Sequence, residues 1–272
     1  MTIWRRLNLE GRAGLVLLLA LVLMALLAPW IVAGDPLAIV GEPLARPFTS
    51  QAHWLGTDRL GRDVLSELLY GTRTTLLVAF FSAAASLVIG SLVGTLAGFL
   101  GGIADAVLMR ITEAFQTVPG FLLALATISV TGPSVPTLIL AISLGTWTQA
   151  ARVTRAEVLS LRERDFVAAA RTLGMRPLEI AFREILPNAF GPAASLAAIS
   201  VAAAILIEAA LSFLGFGDPN RVTWGSMIAE GRTVLRAAPY LSIVPGLALV
   251  VTVLSVHLIG RGLSRSERFL QP

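Results

Sequence analysis

The 272-residue chain contains no cysteine, and none of its 21 basic residues is lysine; every one is arginine. Without cysteine there is no disulfide, no thiolate nucleophile and no sulfur-ligated metal centre. Without lysine there is no Walker-A nucleotide site, whose lysine reaches the phosphates, and no Schiff-base chemistry. Histidine is nearly missing as well. His53 and His257 are the two in the chain, short of the three or four convergent ligands of a transition-metal site, so no metal site is expected. Charge is scarce at 14%, against 56% hydrophobic residues and a mean hydropathy of +0.79. Soluble domains run nearer a quarter charged, which excludes a water-soluble enzyme, and so apolar a composition excludes disorder. No HExxH helix occurs, and the isolated serines have no histidine and acid at recognisable spacing, so no catalytic residue is assigned. The chain reads as an all-α integral membrane protein with no nucleic-acid partner.

About 20 apolar residues cross roughly 30 Å of hydrocarbon as a helix. Stretches free of Asp, Glu and Arg fall at Ala13 to Gly34, Thr74 to Ala104, Ala114 to Ala151, Ile185 to Ile207 and Ala237 to Gly260. The third is 38 residues long, and its Gly132-Pro133-Ser134-Val135-Pro136 cluster reads as a tight turn between two spans. The last of these two would continue past Arg152. About six transmembrane helices are therefore expected. The first stretch exceeds the h-region of a signal peptide, and no small-x-small cleavage site precedes Asp35, so it is expected to stay as an anchor. Residues 1–272 form one transmembrane domain: 1–73 as first span and outer loop, 74–260 as core, and 261–272 as tail.

With the N-terminus inside, the inner segments hold 14 arginines: Arg5, Arg6, Arg12, Arg110, seven from Arg152 to Arg183, and Arg261, Arg265 and Arg268. The outer segments hold seven, Arg46, Arg59, Arg62, Arg73, Arg221, Arg232 and Arg236. The positive-inside rule places both termini in the cytoplasm.

Within the second span, Gly90, Gly94 and Gly98 recur at spacing four, with Ala83 and Ser86 on nearly the same face. Such a row lets another helix approach closely; a pore lining is the other reading. The long inner loop Arg152 to Glu184 carries seven arginines and five acids, too balanced for a simple lipid-binding basic loop. Its apolar residues Val158, Leu161, Phe166, Ala169, Ala170 and Leu173 recur at helical spacing. Gly174 supplies a helix stop and Pro177 suits the first turn of a following helix. An amphipathic, charge-balanced element of this kind is built to dock on a protein. In the outer loop, Asp35 to Arg73, the glycines Gly56, Gly61 and Gly71 permit tight turns, and Asp58, Arg62 and Asp63 can pair locally. Val64, Leu65, Leu68 and Leu69 make a stripe that reads as an interfacial helix leading into the second span, or as a contact for another protein. Glu208 at the outer end of the fifth span and His257 near the inner end of the sixth are read as solvated or packing residues ahead of substrate ligands.

The run Asp165-Phe166-Val167-Ala168-Ala169-Ala170-Arg171-Thr172-Leu173-Gly174, followed by Glu184-Ile185-Leu186-Pro187, resembles the EAA motif of ABC-importer permeases. Ala169, Ala170, Gly174 and Pro187 fall on the motif's positions; its glutamate falls on Ala168, with Asp165 and Glu184 keeping acids nearby. His53-Trp54-Leu55-Gly56-Thr57-Asp58-Arg59-Leu60-Gly61-Arg62-Asp63 and Gly71-Thr72-Arg73 resemble the outer segment of dipeptide, oligopeptide and nickel permeases. Ser212-Phe213-Leu214-Gly215-Phe216-Gly217 and Trp224-Gly225-Ser226-Met227-Ile228 resemble that subfamily's region after the fifth span. Four pieces in order are specific where each alone is weak, and the order is that of the second permease of the usual pair. The basic tail Gly260-Arg261-Gly262-Leu263-Ser264-Arg265 departs from the acidic run common in the family.

The resemblance implies an inner-membrane permease that forms half of a pathway for peptides or a related small solute, nickel or a metal chelate included. It implies a cytoplasmic coupling helix between the fourth and fifth spans, with Asp165, Ala169, Ala170, Gly174, Glu184 and Pro187 at the ATPase contact. Its partners would be a second homologous permease, two cytoplasmic ATP-binding subunits that hold ATP and Mg, and an extracytoplasmic substrate-binding protein. No cofactor is expected in the chain itself. The rival from composition alone is a stand-alone secondary transporter or channel, which would show coupling residues deep in several spans or matching broken helices.

Overall fold

The computed structural model describes residues 8–32, 34–49 and 53–268, and for 190–195 and 263–268 the backbone alone. Arg5, Arg6 and the last four tail residues lie outside the described residues. The longer helices are α1 (Leu9–Ile31), α2 (Val64–Leu100), α3 (Gly102–Thr117), α4 (Gly120–Thr131), α5 (Val135–Leu161), α6 (Asp165–Thr172), α7 (Phe190–Phe213), α8 (Trp224–Arg232) and α9 (Tyr240–Arg268). Between α6 and α7 the chain coils through Pro177–Glu179, a π-helical turn Ile180–Ile185 and Leu186–Asn188. Extended pairing among the described residues amounts to two isolated bridges, Ile39 with Arg62 and Thr57 with Asp63.

Among the described residues, four helical stretches are long and apolar enough to cross a membrane: α1, α2, Leu196–Phe213 of α7 and Tyr240–Gly262 of α9. The bent pair α3 and α4 makes a fifth if counted as one span. The expected fourth span, α5, falls outside that set. Its inward face buries Ser143, Thr148 and Thr154, and its last turns carry Arg152, Arg155 and Glu157. The third expected span also differs: its helix starts at Gly102, not Ala114, and α3 meets α4 at 82°. Pro119 causes that bend, because it holds Val118 in an extended conformation (φ −96°, ψ 127°) and contributes no backbone N–H.

Asp63 caps α2, accepting the Ser66 N–H through Oδ2 at 2.8 Å. The helix then runs 37 residues, about 55 Å at 1.5 Å per residue, well beyond the hydrocarbon thickness. The stripe of Val64, Leu65, Leu68 and Leu69 is therefore the start of the long helix, with no separate interfacial helix. Gly71 lies inside α2 against Trp224, not in a turn.

Among the described residues, three apolar clusters form the core. The central one joins Val78 and Ala79 of α2, Ala124 and Ile128 of α4, Leu138 and Ile142 of α5, Ala204, Ile205 and Leu211 of α7, and Val256 of α9. One end of the bundle is filled by Val64, Val222, Trp224, Met227, Ala238 and Leu241. The other end is filled by Val158, Val167, Ala170, Ile180, Ile185 and Ala189. Large apolar side chains meanwhile cover the exterior, among them Leu19, Leu23 and Leu26 on α1, Phe80 and Val88 on α2, and Leu247 and Val250 on α9. Such a surface is stable only against lipid tails or a partner.

The spine is the contact of α2 with α5. Ser82, Ser86, Gly90, Gly94 and Gly98 form one row at spacing four, all buried. The Ser143 hydroxyl donates to the Ser82 carbonyl at 3.2 Å, and the hydroxyls of Ser86 and Thr146 lie 2.6 Å apart. A Cβ on Gly90 would stand 2.5 Å from the Trp147 carbonyl oxygen, and one on Gly98 would stand 3.0 Å from that of Arg155. Between them, a Cβ on Gly94 would collide with the Ala151 carbonyl. The two backbones touch, so no side-chain rotation relieves an added group.

Gly94→Val is accordingly expected to destabilise the protein by about 1–3 kcal/mol. Thermal unfolding in detergent should show Tm lowered by roughly 2–5 °C; an unchanged Tm would contradict backbone contact at this seam.

Candidate functional site

The site lies where α2 and α5 end together. Helix α6 is only eight residues long, too short to hold its shape alone, and tertiary contacts fix it. Arg162 to Arg164 interrupt the helical register between α5 and α6, so the new helix turns Val167 and Ala170 inward. These pack on Val158, Ile180 and Ile185, with Phe99 of α2 alongside. The stripe expected from spacing is thus split: Val158 and Ala170 are buried, Leu161 and Phe166 half-buried, and Ala169 and Leu173 exposed.

Gly174 ends α6. Its φ is +78°, a left-handed conformation that costs other L-residues about 1–2 kcal/mol. The Gly174 N–H donates to the Arg171 carbonyl at 3.0 Å and the Met175 N–H to the Ala170 carbonyl at 3.2 Å, the paired bonds of a Schellman cap. Met175 joins the buried cluster beside Ala170, and the reversal brings Pro177 to the first position of the next turn.

The six residues singled out by motif do not converge on one point. Asp165 and Ala169 are exposed on α6, Ala170 faces inward and Gly174 makes the reversal. Glu184 is half-buried on the returning limb, where its carbonyl accepts from Asn188 Nδ2 at 2.6 Å, and Pro187 is exposed. What joins them is a single surface element. Two exposed leucines complete it: Leu173, the last residue of the expected stripe, is 82% accessible, and Leu178, which spacing did not single out, is 52% accessible.

Charges anchor this element to the spine. Arg155 Nε and Nη2 donate to Asp105 Oδ1 and Oδ2, both at 2.6 Å, tying α5 to α3. Arg162 Nη1 donates to the Gly98 carbonyl at 3.0 Å, at the end of the glycine row. Arg183 pairs with Glu179 at 2.6 Å. Arg164, Arg171 and Arg176 are exposed and make no ion pair among the described residues. The outcome is a knob with two exposed leucines and a rim of exposed guanidinium groups.

At the opposite end of α2 the chain forms a second polar region. Trp224 Nε1 donates to the Leu68 carbonyl at 3.3 Å, and the Tyr240 hydroxyl shares its proton between the carbonyls of Thr57 and Ala45, at 2.8 and 2.9 Å. Of the local pairs expected there, Asp58 and Arg62 stand 4.0 Å apart, while Asp63 takes His53 instead, at 3.2 Å. A cavity of about 310 Å³ opens beside Arg62, Glu67, Arg221 and Glu230, and one of about 420 Å³ beside Tyr70, Arg73, Asp218 and Arg221. Glu208 is wholly buried, not solvated, and its Oε1 accepts from the Ser212 hydroxyl at 2.7 Å. His257 is exposed on α9.

Residues 89–269 match the family profile described as binding-protein-dependent transport system inner membrane component. The chain is 38% identical over 262 residues to the di/tripeptide transport system permease protein of Pseudomonas aeruginosa, covering 94% of this chain and 86% of that one. It is 39% identical over 253 residues to a putative peptide transport system permease protein of Brucella suis, covering 93% and 85%. Against the glutathione transport system permease protein of Pectobacterium atrosepticum the identity is 35% over 264 residues, covering 96% and 87%. Among solved structures, a chain of the inward-facing MetNI methionine ABC transporter matches with TM-score 0.59 and 21% identity, over 76% of this chain and 97% of that one. An amino acid ABC transporter matches with TM-score 0.55 and 18% identity, over 75% and 94%.

The anchoring of α5 to α3 can be measured by a double-mutant cycle. Arg155→Ala and Asp105→Ala are each expected to lower stability, with a coupling energy of about 1–2 kcal/mol between them. A coupling of zero in thermal or denaturant unfolding would show that the pair holds nothing.

Proposed function

The chain belongs to the family of binding-protein-dependent transport system inner membrane components, and from that premise we propose what it carries and how it is driven. It is a multi-pass membrane permease subunit of an ATP-binding-cassette importer, working with ATPase and substrate-binding components and not itself a catalyst. Its relatives are named for dipeptides, di/tripeptides and glutathione, and the cargo proposed here is a short peptide or a closely related small solute.

The chain walls half of the pathway, and a second homologous permease supplies the other half. Two cytoplasmic ATP-binding subunits hold ATP and Mg, and an extracytoplasmic binding protein delivers cargo. Both termini face the cytoplasm, as the arginine bias requires. The single observation that carries the reading is the knob at α6: exposed Leu173 and Leu178 on an element whose inner face is locked to the ends of α2 and α5. A groove on one ATPase receives it, with Asp165 and Ala169 on the contact face and Gly174 and Pro187 shaping the reversal. Closure of the ATPase pair around ATP displaces α6. Val167 and Ala170 pass the displacement to Val158 and Phe99, and the spine moves with them. Access alternates because nucleotide binds more tightly to one of two packings and shifts the population. A stand-alone transporter is not favoured, since the relatives are named as permease proteins of transport systems and the fold neighbour as an ABC transporter.

Two experiments test this. Gly174→Leu should insert and assemble normally, since nothing crowds the position, yet the strain of about 1–2 kcal/mol distorts the reversal. Labelled-dipeptide uptake per ATP hydrolysed should fall roughly tenfold, with Gly174→Asn close to wild type because asparagine tolerates this conformation. Wild-type uptake by the leucine variant would remove the coupling role. Purification of the tagged chain from native membranes, with mass spectrometry, should recover a second permease and nucleotide-binding subunits. Recovery of the chain alone, still moving solute without ATP, would refute the importer reading.

A further inference from the structure

Arg73 ends the charged part of α2. The next residue begins a run without Asp, Glu or Arg that continues past the end of the helix. Arg73 therefore stands where a membrane-crossing helix enters the headgroup region, the level at which arginine and aromatic anchors collect. On the same side of α2, Leu77, Phe80, Phe81 and Val88 are all exposed. At helical spacing this stripe lies opposite the row of Ser82, Ser86, Gly90 and Gly94 that packs on α5. So long an apolar face needs an apolar neighbour.

Arg73 and Leu77 also line the cavity of about 420 Å³, and Arg221 faces them from the segment between α7 and α8. Both arginines are exposed, and neither makes an ion pair among the described residues. Two carboxylates share the lining. Asp218 is used to hold the wall: its Oδ1 accepts the Asn220 N–H at 2.9 Å, and its Oδ2 accepts the Val135 N–H at the start of α5 at 3.2 Å. Asp35 accepts the Leu37 N–H through Oδ1 at 3.0 Å and is otherwise exposed. The formal charges cancel, two against two, yet no ion pair joins them. Charges of both signs, unpaired with each other around one hollow with apolar walls at Leu77, Val135 and Val222, suit a ligand that is itself a zwitterion.

We propose that this groove holds the headgroup of a zwitterionic phospholipid bearing a primary ammonium, a phosphatidylethanolamine, at the end of the bundle remote from α6. Its phosphate accepts from the guanidinium groups of Arg73 and Arg221, and its ammonium faces Asp35. Its acyl chains run down α2 over Leu77, Phe80 and Phe81. A short peptide carries the same two charges, but it leaves the apolar stripe that continues the groove into the membrane without a partner. A lipid satisfies both parts with one molecule. An anionic lipid would satisfy the arginines and bring its surplus charge against Asp35 and Asp218. The structural effect is to hold the third turn of α2 to the segment between α7 and α8, which Asp218 already ties to the start of α5.

The test uses the full chain, purified in detergent and delipidated. It is titrated with dioleoyl phosphatidylethanolamine, phosphatidylcholine or phosphatidylglycerol, and bound lipid is counted by native mass spectrometry. The ethanolamine lipid should bind most tightly. Arg73→Gln and Arg221→Gln should each weaken it about tenfold or more, the loss of a hydrogen bond to a charged group. Both side chains are exposed, so the fold survives their neutralisation. Asp35→Asn should remove the preference for ethanolamine over choline and leave phosphatidylcholine binding unchanged. Ethanolamine-lipid binding unaltered in both arginine variants would overturn the proposal, and so would tighter binding of the glycerol lipid. Displacement of the lipid by millimolar dialanine would also overturn it, by making the groove a peptide site. The proposal takes from the preceding reading only that the chain spans a membrane, so its failure leaves the importer reading standing, and failure of ATP-coupled uptake leaves the lipid site standing.

Discussion

Backbone contact between α2 and α5 is the constraint on which the rest depends. Ser82, Ser86, Gly90, Gly94 and Gly98 let the backbones of α2 and α5 meet without large intervening side chains. In a membrane, helices gain little from the hydrophobic effect on meeting each other, and close packing with interhelical hydrogen bonds must hold them. The serine and threonine contacts at one end of the row and the bare glycines at the other supply both. A helix pair locked in this way moves as one body, because a packed contact between backbones has no soft coordinate.

Each end of that body carries a different kind of attachment. At one end, Arg162 donates to the last carbonyl of the glycine row, Arg155 grips Asp105, and α6 packs back on Val158 and Phe99. A force applied to the exposed leucines therefore reaches the spine without passing through a loop. At the other end, Asp63 caps α2, Trp224 bonds into its second turn, and Arg62 pairs with Asp58 of the loop, Glu67 of α2 and Glu230 of α8. The gap between the ends is about 45–55 Å by helix rise. Conversion of nucleotide binding into alternating access needs such a connection, rigid along its length and specific at both tips.

Much of this was legible in residue order. The glycine row, the helix stop at Gly174, Pro177 at a helix start and the turn at Gly132 to Pro136 all express local chemistry that no tertiary context overrides. Other features could not be read. The bend at Val118 and Pro119 was hidden inside an uncharged run that hydropathy treats as continuous. The single stripe from Val158 to Leu173 assumed that one helical register persists, whereas three residues at Arg162 to Arg164 reset it. Helix α5 was hard to count as a span because helices that pack through small and polar side chains lose the hydropathy signal. For Glu208 the sequence left solvated and packing roles open, because its position near an interface said nothing of Ser212 bonding to it; the structure shows it packed.

The most direct measurement is the distance between spin labels on α6 and α2 in the assembled importer, without nucleotide and with ATP trapped. The chain has no native cysteine, so Thr172→Cys and Phe80→Cys give a clean pair, the first on the exposed face of α6 and the second on the exposed face of α2. The account predicts one narrow distance distribution that stays the same in both states, while a label pair spanning the two permeases shifts. A distribution that moves or splits within this chain would contradict it, because α6 would then swing free of the spine it is said to drive.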